Sequence, residues 1–170
     1  MKTAFIILSL LIGTFMILCF ILGGVSRSGK VPGLVAGSLS ACPNKPNCVC
    51  SERKDDASHY IDPVNIPQDS MPDPMPALKK TIRDMGGSIQ AENGNYLAAT
   101  FSSTIFGFVD DLELRVDPVQ KVIHIRSASR VGYSDAGVNR KRTVLFRKTY
   151  LSNAAAATPS LKATPARNEH

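Results

Sequence analysis

Residues 4–25 carry no formal charge, and they include the run Phe15-Met16-Ile17-Leu18-Cys19-Phe20-Ile21-Leu22. A helix of that length reaches about 33 Å at 1.5 Å per residue, enough for a hydrocarbon layer of roughly 30 Å. A cleavable signal has an apolar stretch of only about 7–15 residues before a small-x-small site. Gly24-Val25-Ser26 offers such a site, so cleavage stays open, but the length favours an uncleaved single span. Lys2 precedes the segment and Arg27 and Lys30 follow it, so the positive-charge rule does not choose an orientation.

The cysteines bear on the side of the membrane. Cys19 lies in the apolar run, whereas Cys42, Cys48 and Cys50 crowd together just beyond it. A Cys42–Cys48 bridge would close a short loop containing Pro43 and Pro46, worth about 2 kcal/mol in chain entropy. Such bridges persist outside the cytoplasm, which predicts an inside amino terminus and a periplasmic (or equivalent) body. Two other readings are weaker. Leu39-Ser40-Ala41-Cys42 has the look of a lipoprotein box, but Arg27, Lys30 and Pro32 separate it from the apolar run. Cys42, Cys48, Cys50 and His59 could supply metal ligands, but C-x5-C-x-C does not match structural zinc spacing. A structural disulfide with a spare thiol, and no metal, is the expectation.

The chain has 170 residues, is 44% hydrophobic and has a net charge of +6, which excludes a wholly disordered chain. Its organisation reads as a short segment 1–3, an anchor 4–25, a linker 26–41, a globular domain 42–151 and a disordered tail 152–170 rich in Ala, Thr and Pro. About 110 folding residues make one small domain. Trp is absent and 6% of residues are aromatic, so base-stacking platforms and nucleic acid as a partner are not expected.

The domain reads as α+β: an antiparallel sheet of about four strands flanked by two helices. Pro63, Pro67, Pro72 and Pro74 preclude a long element before the first helix. There Met75, Leu78, Ile82 and Met85 recur at helical spacing, Asp73 or a neighbour caps the start, and Gly86-Gly87 supplies the stop. Asn93-Gly94 predicts a two-residue hairpin between 88–92 and 95–101. The run 106–117 alternates near its end, with Leu112, Leu114 and Val116 on one face. Asp117-Pro118-Val119-Gln120 has type I turn chemistry, and 121–129 returns as a strand with Ile123 and Ile125 inward. A closing helix over 138–151 would bury Val138, Leu145, Phe146 and Tyr150.

Setting Val116 opposite Lys121 pairs Leu114 with Ile123 and Leu112 with Ile125, and parity excludes a one-residue slip. That register places Glu113 opposite His124 and Asp111 opposite Arg126, while Asp110 points toward the core and must find donors or be protonated. Residues 126–148 hold seven basic residues and one acidic residue, so the basic charge belongs to this segment.

Three segments carry a resemblance. They are Cys42-Pro43-Asn44-Lys45-Pro46-Asn47-Cys48-Val49, then Phe106-Gly107-Phe108-Val109-Asp110-Asp111-Leu112-Glu113, then the stretch from Arg126 through Arg130, Gly132, Asp135 and Asn139 to Arg140. In this order, over about 40–151, they resemble the family called domain of unknown function 1499, which usually has Ser where this chain has Cys50. The resemblance implies an exported or membrane-linked protein of bacterial or plastid type, with no agreed activity.

Two functional readings follow. In the first, the protein is a membrane-anchored accessory or binding protein that offers its basic segment to a protein partner in a membrane complex or to anionic lipid. In the second, Arg126, Arg130, Arg140 and Arg142 grip an anionic ligand, with Asp110, Asp111, Ser129, Asp135 and Asn139 around it, because the guanidinium fork donates in pairs. The competing view of the same residues is an ion network that holds the last loop to the sheet. Adjacent strand residues point to opposite faces, so Asp110 and Asp111 do not chelate a cation together. His59, His124 and His170 stand in no motif with a Ser or Cys nucleophile, and no pattern points to a catalytic residue or a cofactor.

Overall fold

A computed structural model describes residues 1–67 and 73–157. Eleven elements follow in chain order: α1 (Lys2–Ser28), β1 (Leu34–Val35), β2 (Ser38–Leu39), β3 (Cys48–Cys50), β4 (Val64–Asn65), α2 (Met75–Asp84), β5 (Ser88–Asn93), β6 (Tyr96–Ser102), β7 (Val109–Asp117), β8 (Val122–Ser129) and α3 (Val138–Ala157). The main sheet runs β3-β8-β7-β6-β5, with β4 also pairing β8, and every ladder is antiparallel. The four expected strands are the meander β5–β8. Two short additions, β3 and β4, bring the sheet to six, and β1 and β2 form a separate small ribbon. Two helices follow α1, so the class is α+β as expected and the strand count is corrected upward.

Helix α1 is long and apolar enough to cross a membrane, and its most apolar window has no residue buried against the rest of the chain. Helix α2 starts at Met75, whose N–H donates to Asp73 Oδ1 at 2.9 Å, and it buries Met75, Leu78 and Ile82. With Phe146, Tyr150 and Ala154 of α3, these side chains cover the sheet face formed by Leu97, Ala99, Leu112, Leu114, Val116, Ile123 and Ile125. Helix α3 does not stop at 151: residues 152–157, expected to begin the tail, continue it, and Ala154 is buried in the core. The rest of the expected tail and Pro72 lie outside the described residues. Val138 and Leu145, expected inside, are exposed.

Two registers differ from expectation. The β5–β6 connection is Gly94-Asn95, one residue later than Asn93-Gly94, and of the two only Gly94 has a positive φ, 54°. An irregularity between Ile89 and Ala91 then shifts the register by one residue. Between β7 and β8, Val116 faces Ile123 and Leu114 faces Ile125, two residues from the expected pairing. The turn occupies 118–121, where Asp117 Oδ1 accepts from the N–H groups of Val119 (3.0 Å) and Gln120 (2.9 Å) and Lys121 takes φ 55°. Parity survives, so each side chain keeps its predicted face, but the partners change. Glu113 faces Arg126, Arg115 faces His124 and Asp111 faces Ala128.

The second sheet face is charged and covered. Residues 29–41, most of the segment 26–41 expected as a linker off the membrane, lie across it as a strap. Gly33 N–H donates to Glu113 Oε1 (2.9 Å), Leu39 N–H donates to Glu52 Oε2 (2.7 Å), and Leu39 packs with Cys50, Tyr96 and Ala98. Donors presented to buried carboxylates thus supplement a small apolar cluster on this face.

Candidate functional site

The sheet divides the expected site residues between its two faces. On the strap side, Arg130 makes a forked pair with Asp111 (Nη2–Oδ1 2.8 Å, Nε–Oδ1 3.0 Å), and its Nη1 donates to the carbonyls of Ser26, Arg27 and Gly29 at the end of α1. Arg126 does not meet Asp111. It pairs with Glu113 (2.9 Å), which is fully buried and also accepts from the Tyr96 hydroxyl at 2.7 Å. Burial, then that carboxylate, pushes the Tyr96 phenol up from its ordinary value.

On the helix side, the donor that Asp110 needs is Arg142, at 2.7 Å, stacked over the Phe101 ring at 4.8 Å. Arg142 also reaches Ser127 Oγ (3.2 Å) and Asn139 Oδ1. Asn139, almost fully buried, donates to the Asn47 carbonyl (3.0 Å) and to Ser129 Oγ (2.9 Å) and accepts from Ser127 Oγ (2.6 Å). Asp135 caps α3, accepting from the N–H groups of Asn139 (2.7 Å) and Gly137 (3.0 Å). Burial would raise its carboxyl, but these donors outweigh that and hold it below the usual range. Arg140 sits outside this group, donating to the carbonyls of Ser58 and Tyr60. Asp110, Arg126 and Arg130 therefore do not converge.

Asp110, Ser129, Asp135 and Arg142 do line one cleft of about 420 Å³, walled by Phe101, Phe108, Val131 and Val138. Its one guanidinium is neutralised by its one adjacent carboxylate, so an anion entering it would have to displace Asp110. A second cleft, about 490 Å³, holds Arg140, Asp135, Lys45, His59 and Tyr133. His59 is engaged there with Asp56 (2.7 Å) and the Lys45 carbonyl (2.9 Å). Among the described residues, no three His, Cys, Asp or Glu side chains converge as metal ligands.

The disulfide is Cys42–Cys48, with Cα atoms 5.6 Å apart, and it carries Asn47 into the Asn139 network. Cys50 is free, and burial pushes its thiol up, away from the reactive thiolate. The network also uses Glu52, Tyr96 and Asn47, which sequence reasoning did not single out. Glu52 Oε1 accepts from Arg115 Nε. The one signal for them is parity: Glu113 and Arg115 share the face of Asp111, and a face of that composition needs its own covering donors.

What stays unpaired is the outer surface of α3. Arg140, Lys141, Arg147 and Lys148 have no carboxylate within ion-pair distance among the described residues. Arg140 and Arg147 lean on backbone carbonyls of 58–63. Lys141 and Lys148 flank the exposed side chains of Val144 (66%) and Leu145 (50%), with Leu151 beyond.

A search of curated proteins finds no match to this chain. Residues 38–149, more than half of the chain, match the model of the family described as a protein of unknown function (DUF1499), and the chain belongs to that family.

Proposed function

We propose that the protein is a membrane-anchored accessory or binding protein, held by α1, with its folded domain outside the cytoplasm, and that the outer face of α3 docks an acidic protein partner. One observation carries this reading: two lysines without a counter-ion border a row of exposed aliphatic side chains on a helix whose other face is fully used by the core. Cations around an apolar centre suit an acidic surface with its own apolar patch. The disulfide supports the oxidising compartment. The anionic-ligand or enzymatic reading built on Arg126, Arg130 and Asp110 has less support, because each of those groups is already occupied by a partner within the chain.

The test is cross-linking of the full chain in gently solubilised membranes, comparing wild type with the Lys141→Glu/Lys148→Glu double variant. A partner adduct that disappears in the variant, and in wild type above about 0.5 M salt where screening is short-ranged, supports the reading. An adduct indifferent to both refutes it.

A further inference from the structure

The loop between β6 and β7 touches α1 well inside its apolar run. The Phe106 ring meets the Phe20 ring edge-on, centroids 5.4 Å apart, and the Phe108 ring lies 6.0 Å from that of Phe106. Close approach is allowed because residue 23 is glycine: any Cβ there would collide with the Phe106 carbonyl. Phe20 and Gly23 precede Val25, the last residue of the uncharged run, by five and two positions. The loop tip therefore sits roughly 3–8 Å inside that run along the helix axis. Ile105, at the tip, is 70% exposed, and so is the apolar surface of α1 beside it.

At the upper edge of this patch the chemistry changes abruptly. The Arg27 guanidinium lies over Gly107, where a Cβ would come within 2.8 Å of Nη1. Arg27, Lys30 and Arg130 line an open cleft of about 420 Å³. Neither Arg27 nor Lys30 has an ion-pair partner among the described residues. An aliphatic tip at acyl-chain height, topped by unpaired cations at headgroup height, is the layering of an interfacial membrane element.

We propose that loop 103–107 inserts Ile105 and Phe106 into the bilayer leaflet from which α1 emerges, giving the domain a second membrane contact with lipid phosphates beside Arg27 and Lys30. This rests on the reading of α1 as a membrane span, and it commits to lipid as the occupant because the loop shares the height of the helix's own lipid-facing surface. In consequence the domain rides on the membrane surface in one orientation.

The chain contains no tryptophan, so single-tryptophan variants report position directly. Ile105→Trp, Phe15→Trp in α1 and Val119→Trp at the opposite turn (90% exposed) are reconstituted as full chains in phosphatidylcholine vesicles with brominated acyl chains. Residues 15 and 105 should both be quenched and blue-shifted. Residue 105 should respond more to bromine near the headgroup than near the chain end, and residue 119 should stay as in unbrominated lipid. Quenching at 15 with none at 105 overturns the loop insertion and leaves the anchor standing. No quenching at either overturns both. Equal quenching at 119 and 105 also overturns the proposal, since contact would then not be confined to the loop.

Discussion

Removing Arg126 alone is expected to damage the domain more than removing any exposed charge. Glu113 is 0% exposed and accepts from Arg126 Nη1 (2.9 Å), the Tyr96 hydroxyl (2.7 Å) and the Gly33 N–H (2.9 Å). In Arg126→Met the two neutral donors remain and the counter-charge is lost, so a carboxylate is buried without compensation. The cost is about 3–5 kcal/mol, a large part of the 5–15 kcal/mol typical of a whole domain. With a urea slope of about 1.5 kcal/mol/M, the unfolding midpoint should fall by about 2–3 M. Adding Glu113→Gln should recover more than half of that loss. The amide is neutral, yet its oxygen still accepts from Tyr96 and Gly33. Two changes that share one network are not additive, and here the second reverses the first. The assay is urea unfolding of the full chain in mild detergent, followed by tyrosine fluorescence. A drop under about 0.5 M for Arg126→Met, or a double variant less stable than Arg126→Met, would refute the reasoning.

Asn139→Ala removes donors and an acceptor from Asn47, Ser129, Ser127 and Arg142; it should cost about 2–4 kcal/mol by the same assay, since buried partners are left unsatisfied. Reducing Cys42–Cys48, whose cysteines are six positions apart, should cost about 2 kcal/mol, measured as the urea midpoint with and without dithiothreitol. Burial lowers the His124 pKa below 6.5, and the Ser51 hydroxyl, which accepts from the Ile125 N–H at 2.8 Å, lies 3.3 Å from its Nδ1. The unfolded chain therefore binds the proton more readily, and stability present above pH 6.5 is lost as the pH falls from there through the lowered folded value. Midpoints at pH 7.5 and 5 should differ more in wild type than in His124→Gln, and an unchanged difference would remove His124 from the account.

How much of this was legible depends on what kind of information each residue carries. Helix α1 is set by the absence of charge, and α2 by apolar side chains three and four apart, both local signals. The faces of β7 and β8 follow from a period of two, but a period of two is blind to a slip of two. Lys121 in a left-handed conformation has no signature in a turn of the composition Asp-Pro-Val-Gln, so the pairing of Asp111 with Arg126 was the wrong member of a correct parity class. The strap was not legible at all. Its strands have two residues each, and apart from the packing of Leu39 what fastens residues 29–41 is backbone N–H groups such as those of Gly33 and Leu39, which every sequence possesses. The same limit blurred the candidate site, because the spacing of Asp and Arg along the chain does not say which guanidinium is already occupied.

Arg130 shows why the division matters for function. Its fork rests on Asp111, and the remaining Nη1 donates to the Ser26 and Gly29 carbonyls at the end of α1, the first of which also accepts from the Gly29 N–H. A cation at a helix C-terminus also complements the helix dipole. Ser26 adds a second clamp, accepting from the Val109 N–H at 2.8 Å. The end of the helix is thus bonded directly to the start of β7 and to the residue after β8, two interior strands of the sheet, and the strap that follows is fastened at Gly33 and Leu39. Arg130→Ala made together with Asp111→Ala, so that the carboxylate (4% exposed) whose donors come from Arg130 is not left buried and unpaired, should release this junction without exposing the main core, which lies on the other face of the sheet. Its signature would be faster amide exchange confined to residues 26–41, with exchange in β7 and β8 unchanged. Uniformly faster exchange would mean that the Arg130–Asp111 pair stabilises the domain as a whole, and the rigid coupling of helix to sheet would lose its physical basis.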